Sequence, residues 1–263
     1  IIAPALNGLG EAVFFETDSR PAAHPFHERS LVVAWEANDR WSAAFALLCL
    51  GRFEESLALF RELGDQRSIC FVLFNRGERA RVEGDDQRAR ALFEESLAIR
   101  RELNDRGAMY LELGRLVSLA LDHGDIAAAR ARSEELLALS RGIHDKHSVA
   151  WALGELGRVA YLQGDIETAR SLYEESLATY RELEYKPGIA GILNLLGAMM
   201  LHQGDLEAAR SLHEQALSLR PELTGEFALL PIAFALLNLG IIAQRQGDCG
   251  QALALYRESM AGY

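Results

Sequence analysis

Lysine is almost missing from this chain. Only Lys146 and Lys186 occur among 263 residues, and arginine carries the rest of the positive charge. Acidic residues outnumber basic ones 38 to 27, for a formal net charge of -11. A surface of that sign repels phosphate backbones, which argues against direct nucleic-acid binding. Cysteine is scarce too. Cys49, Cys70 and Cys249 are far apart and form no CxxC pair, which argues against a disulfide framework or a zinc site and fits a reducing, cytoplasmic compartment. Long apolar runs are absent. The longest, Phe227 to Ala243, is interrupted by Pro231, Asn238 and Gly240. It falls short of the roughly 20 residues a bilayer span needs, so it reads as a buried helix and no membrane segment is expected.

Chemistry-bearing motifs are also missing. There is no GxxxxGK[ST] phosphate loop. Asn7-Gly8-Leu9-Gly10 lacks the third glycine of a dinucleotide loop. His24-x-x-His27 and His144-x-x-His147 have no third ligand at a matching spacing and read as surface histidines. No Ser/His/Asp or Cys/His constellation can be assembled. The expectation is a non-catalytic chain without cofactor or metal.

What the sequence does contain is periodicity. A Gly-Asp break recurs at Gly84-Asp85, Gly124-Asp125, Gly164-Asp165, Gly204-Asp205 and Gly247-Asp248, with steps of 40, 40, 40 and 43 residues. An earlier break, Gly51-Arg52, lies 33 residues before Gly84. A fixed period of this size predicts a stacked helical repeat array, in which each unit buries its apolar face only against its neighbours. The predicted pairs are 66–83 with 86–103, 106–123 with 126–141, 147–163 with 166–183, 187–203 with 206–220, and 231–246 with 249–263. The pair around Gly51 precedes them, making about six. Pro231 is expected in a first turn, after a linker over 221–230. Residues 1–25, with three prolines and two glycines, are expected to be irregular, with a short strand near Val13-Phe14-Phe15, and to be the end of an upstream domain, while the array is assigned to 26–263. The chain opens on Ile1 and stops at Tyr263 inside a predicted helix, so it is expected to be a piece of a longer protein with a truncated last repeat.

Within each unit the residue choices follow a rule. Ala44, Gly77, Gly157, Gly197 and Gly240 stand seven positions before their breaks. An interior glycine costs about 1 kcal/mol relative to alanine, so its recurrence points to close helix approach. Twelve residues later come Ser56, Ala89, Ala129 (after Val117 at the glycine position), Ala169, Ala209 and Ala252, expected to face the first helix. At the break, glycine permits the positive φ that ends one helix, and the aspartate caps the next.

Leu156-Gly157, Ala160, Ala169 and Tyr173, with Phe60, Phe93 and Tyr256 at the same aromatic position, resemble the tetratricopeptide repeat. Val117 replaces the glycine, Ser133 and His213 replace the aromatic, and the period is 40 rather than about 34. The resemblance implies an all-α fold, a right-handed α-solenoid of stacked antiparallel helix pairs. The Glu94 to Ala98 and Arg101 to Leu103 phrasing is similar to sensor arrays of bacterial signal-transduction ATPases and transcription regulators.

The resemblance also implies a concave groove lined by the first helix of each pair. The positions it assigns there are Trp41, Phe74, Asn75, Arg81, Arg115, Trp151, Glu155, Arg158, Tyr161, Asn194, His202, Asn238, Gln244 and Arg245. Arg115, Trp151, Glu155, Arg158 and Tyr161 would form its middle, a mix of arginine and aromatics suited to binding. Asn194 and Asn238 would hold an extended peptide by its backbone. The scarcity of lysine leaves out the family's carboxylate clamp. The function expected is a scaffold binding a protein or peptide, as the sensor or partner region of a larger bacterial regulator. Two alternatives stay open: sensing a small molecule to control an upstream ATPase or DNA-binding domain, and self-association into a homo-oligomer through the last repeat.

Overall fold

The computed structural model describes residues 2–17, 20–223 and 226–261. Its described residues form fourteen α-helices and one 3-10 turn. They divide into two compact units, 1–119 and 120–263.

In the first unit, α1 (Ile2–Thr17) pairs with α2 (Arg20–Glu36), α3 (Arg40–Cys49) with α4 (Phe53–Leu63), and α5 (Gln66–Val82) with α6 (Asp86–Glu102). Most of α7 (Met109–Asp122) completes it. Phe60, Leu73, Phe93, Leu97 and Leu113 are fully buried there. In the second unit, α8 (Ile126–Gly142) packs on α9 (Lys146–Leu162). Then α9 pairs with α10 (Ile166–Glu182), α11 (Lys186–Gln203) with α12 (Leu206–Ser218), and α13 (Glu226–Arg245) with α14 (Cys249–Ala261). Helix α11 also touches α9 and α13, so first helices line up beside one another. Their shared core runs through Tyr173, Leu177, Leu193, Met199 and Ile242. The architecture is an α-solenoid of helical hairpins.

Two kinds of turn alternate. Inside the hairpins, Gly51, Gly84, Gly124, Gly164, Gly204 and Gly247 take φ between 71° and 86°. The aspartates that follow accept from the backbone N–H three residues on: Asp85 from Arg88, Asp125 from Ala128, Asp165 from Thr168, Asp205 from Ala208 and Asp248 from Gln251. Each satisfies an amide that the first helical turn leaves unpaired. Between hairpins the left-handed residue is Asn38, Gly64, Asn104, His144 or Glu184.

The glycines seven before the breaks face aromatic rings sixteen residues on. A Cβ on Gly77 would lie 2.6 Å from the ring of Phe93, on Gly157 2.6 Å from Tyr173, on Gly197 2.8 Å from His213, and on Gly240 2.5 Å from Tyr256. The residue twelve on is buried as expected, and Ser56 Oγ donates to the carbonyl of Ala44 at 2.7 Å. The Glu-Glu-Ser-Leu-Ala phrase has a structural reason as well. Its serine is buried and donates back to the first helix, Ser96 to the Cys70 carbonyl and Ser176 to the Ala150 carbonyl. Ser259 does the same to Ala233, and Ser30 to Ala3.

Three sequence expectations fail here. Residues 2–17 and 20–25 are helical rather than irregular, and no strand forms at Val13-Phe14. Pro4 and Pro21 occupy first turns, where a missing amide breaks no helical bond, and Gly10 seats His27 with its would-be Cβ 2.5 Å from that ring. Pro231 lies inside α13 rather than in its first turn, because the helix starts at Glu226 and shortens the expected linker. His27 is only 2% exposed, a core rather than a surface histidine.

Candidate functional site

The sequence-selected residues of the second unit lie on α9, α11 and α13. On α9, Trp151, Glu155 and Arg158 recur at i, i+4 and i+7, one face of a helix. Glu155 is buried at the foot of this face and accepts from Arg158 Nη1 at 2.9 Å. Burial pushes its carboxyl above the ordinary range, while the Arg158 charge and hydrogen bonds from Arg158 and Trp151 pull it back. The carboxylate is thereby a fixed anchor that orients both neighbours. Arg158 stays partly exposed, with its side chain 32% accessible.

One turn further, Tyr161 stacks on His202 of α11, with ring centroids 5.8 Å apart and planes 17° apart. Its hydroxyl hydrogen-bonds His202 Nδ1. On α13, Arg245 Nη1 donates to the Leu201 carbonyl at 3.2 Å, and Gln244 accepts from Tyr256 Oη at 2.8 Å. The exposed ends of three first helices thus carry an arginine held by a buried carboxylate, a stacked Tyr–His pair, and a second arginine. Such a surface can stack, donate hydrogen bonds and pair with carboxylates.

The structure withdraws Asn194 from this surface. It is 3% exposed, and both ends of its amide are occupied. Asn194 Nδ2 donates to the Pro231 carbonyl at 2.7 Å, and Oδ1 faces His213 Nδ1 at 2.9 Å. Asn238 is also buried, and it bonds the Phe234 carbonyl of its own helix. Neither is placed to grip a peptide backbone, because each amide is spent on the fold.

The residues chosen in the first unit do not form one cluster. Trp41 stacks on Phe45 and donates to Asp65 Oδ2 at 3.0 Å, next to the α5 cap. Phe74 leans on Phe93, and Asn75 bonds its own helix at Phe71. Arg115 pairs with Glu78 at 2.8 Å, and Arg81 lies 3.7 Å from the same carboxylate. Sequence reading missed Glu78, and it missed Glu112. The latter is fully buried on α7 and accepts from Arg100 Nε at 2.6 Å and from Ser96 Oγ at 2.7 Å. It missed, too, a cavity of about 320 Å³ lined by Glu11, His24, His27, Cys49 and apolar side chains that include Phe45 and Phe53. The lining comes from five helices, α1 to α5, so no spacing along the chain announces it.

Hairpins of this geometry, with a glycine seating an aromatic and a capped Gly-Asp break, define a helical-repeat scaffold. Tetratricopeptide repeat models match residues 105–182, 188–263 and 40–62. The chain belongs to the tetratricopeptide repeat family. No curated protein sequence matches it. Among solved structures it is similar to the apo quorum sensor NprR of B. thuringiensis, at 13% identity and TM-score 0.75, covering 98% of this chain and 75% of that one. It is similar to the Rap conjugation gene regulator of plasmid pLS20 in complex with the Phr* peptide, at 14% identity and TM-score 0.64, covering 96% and 71%. A third likeness is the signal transduction ATPase with a tetratricopeptide repeat sensor from Pyrococcus horikoshii. Identity there is 13% and the TM-score 0.62, covering 92% of this chain and 39% of that one. These likenesses establish the fold. Among the described residues, no helix is long and apolar enough to cross a membrane.

Proposed function

We propose that this chain is a non-catalytic scaffold that binds a peptide or an extended protein segment, as the sensor or partner-binding part of a larger regulatory protein. The observation that carries this reading is the surface around Arg158: a partly exposed guanidinium oriented by buried Glu155, beside the Tyr161–His202 stack. Aromatic and arginine side chains held in place by their neighbours lose little entropy on binding, which suits them to anchor a ligand. The pLS20 Rap regulator, similar in fold, is described in complex with a peptide, which supports the choice of ligand class.

The test is a peptide-array or fluorescence-anisotropy screen against the wild-type chain, repeated with Arg158→Ala/Tyr161→Ala. The double variant should bind its best peptide at least tenfold more weakly, with helicity unchanged. Equal affinity would move the binding surface elsewhere.

Self-association is a second reading with its own support. Leu253 and Met260 on α14 are 50% and 69% exposed. The positions equivalent to Met260, twelve after the break, hold Leu97 and Leu177, which are buried, and Leu137 and Leu217, which are half-buried.

A further inference from the structure

Glu11, His27 and Cys49 are 16 and 22 residues apart in sequence, and each sits on a different helix of the first unit. The fold brings one Glu oxygen, one His nitrogen and the Cys sulfur within 4.8 Å of one another. Cys49 Sγ lies 3.4 Å from Glu11 Oε1, and His27 Nε2 lies 3.7 Å from that same oxygen. We propose that these three side chains bind a single Zn²⁺ ion, which ties α1, α2 and α3 together.

The 3.4 Å edge suits this ion, and the 3.7 Å edge needs to close by only a few tenths of an ångström. Zinc bonds of about 2.0–2.3 Å in a tetrahedron give ligand-to-ligand edges of roughly 3.3–3.6 Å. The donor set of one thiolate, one imidazole and one carboxylate is the kind that zinc takes. A thiolate and a carboxylate also balance the charge of the ion in a cavity walled by Phe14, Phe45, Leu48 and Phe53. The cavity leaves room for a fourth ligand, and His24 lines it as well.

The surroundings prepare His27 for the role. Its Nδ1 faces Asn7 Oδ1 at 3.4 Å, and Asn7 Nδ2 donates to the Ser42 carbonyl at 3.1 Å. Because Asn7 Nδ2 is committed to Ser42, Asn7 offers His27 an oxygen. The imidazole then keeps its proton on Nδ1 and presents the Nε2 lone pair to Glu11 and Cys49. A ligating histidine is usually held this way by a second partner. Binding requires Cys49 to give up its thiol proton to solvent, so affinity should rise with pH.

The experiment is titration of the full, metal-stripped chain with Co²⁺, followed by displacement with Zn²⁺. One Co²⁺ per chain should bind with a thiolate-to-metal charge-transfer band, and Zn²⁺ should abolish the band and raise the melting temperature. Cys49→Ser should remove the band, and Glu11→Gln should weaken Zn²⁺ binding at least tenfold. Cys249→Ser, which changes an exposed thiol outside the site, should preserve both effects. No stoichiometric uptake overturns the proposal, as does a band that survives Cys49→Ser or disappears in Cys249→Ser. Glu11 is partly exposed, so Glu11→Gln still decides the matter should Cys49→Ser fail to fold.

Discussion

At the scale of single residues, one polar arrangement occurs twice. Asn7 and His27 in the first unit, and Asn194 and His213 in the second, each join a buried histidine to an asparagine three residues before a glycine. The asparagine then donates to a carbonyl of the next first helix, Ser42 or Pro231. Both imidazoles are held below their ordinary pKa by burial, and His213 falls to about 4. The sign follows from proton counting. Between pH 4 and 6.5 the unfolded chain holds the His213 proton and the folded chain does not, so stability rises with pH across that window. The stabilisation is full above about 6.5 and is lost as pH falls towards 4, up to roughly 3 kcal/mol. Urea unfolding of wild type and His213→Phe from pH 4 to 8 checks this. Phenylalanine fills the ring position as Phe60 and Phe93 do elsewhere, and it should flatten the slope while adding a pH-independent loss of about 1 kcal/mol from the orphaned Asn194 oxygen. Equal slopes would place the titrating group elsewhere. Nothing in the sequence set Asn194 apart from a groove residue. Its partners are 19 and 37 residues away, and a local pattern does not show which polar side chains the fold consumes.

At the scale of the element, the hairpin was readable because its constraints are local. Positive φ inside the hairpin favours glycine, an exposed amide needs a cap, and both needs recur with the period. Glycine against ring is a further constraint whose energetics can be separated. Adding a methyl to a helix glycine gains up to about 1 kcal/mol of helix propensity, but overpacking costs typically about 1–3 kcal/mol. At Gly157 the new Cβ would meet Tyr173 at 2.6 Å, and that ring is 1% exposed with nowhere to move. Gly191, also in a helix interior, has no atom within 4 Å of its would-be Cβ. Gly157→Ala should therefore destabilise by about 1–2 kcal/mol, and Gly191→Ala should stabilise by up to about 1 kcal/mol. Thermal unfolding measures both, and a shared sign would refute the packing account. Helix α1 and the start of α2, residues 2–17 and 20–25, escaped the sequence reading for the same physical reason. Their proline and glycine are tolerated where helix turns begin and where His27 packs, which residue type alone does not reveal.

At the scale of the molecule, the question is what the exposed face of α14 does in this chain. Five residues after the four inner Gly-Asp breaks the chain places Arg90, Arg130, Arg170 and Arg210, but the same position is buried Leu57 after Gly51-Arg52 and exposed Leu253 after Gly247-Asp248. Arg130 reaches Gln163 and Arg210 reaches Gln246, each tying its hairpin to the next break. Leu253 makes no such polar tie and stands 50% exposed, with Met260 at 69% on the same helix. Burial of each side chain against another copy would contribute on the order of 1.5–3 kcal/mol before the cost of association. Charge opposes this, since a chain of net charge -11 repels its copy, and added salt screens that repulsion within about 10 Å at 0.1 M. Self-association through α14 should therefore strengthen as salt rises, the opposite of an interface held by ion pairs. Sedimentation velocity across chain and salt concentrations tests this. Wild type should shift to larger species in higher salt, and Leu253→Arg/Met260→Glu, which restores the arginine of the inner repeats, should stay monomeric. Identical sedimentation of the two would assign the exposed face no role in assembly.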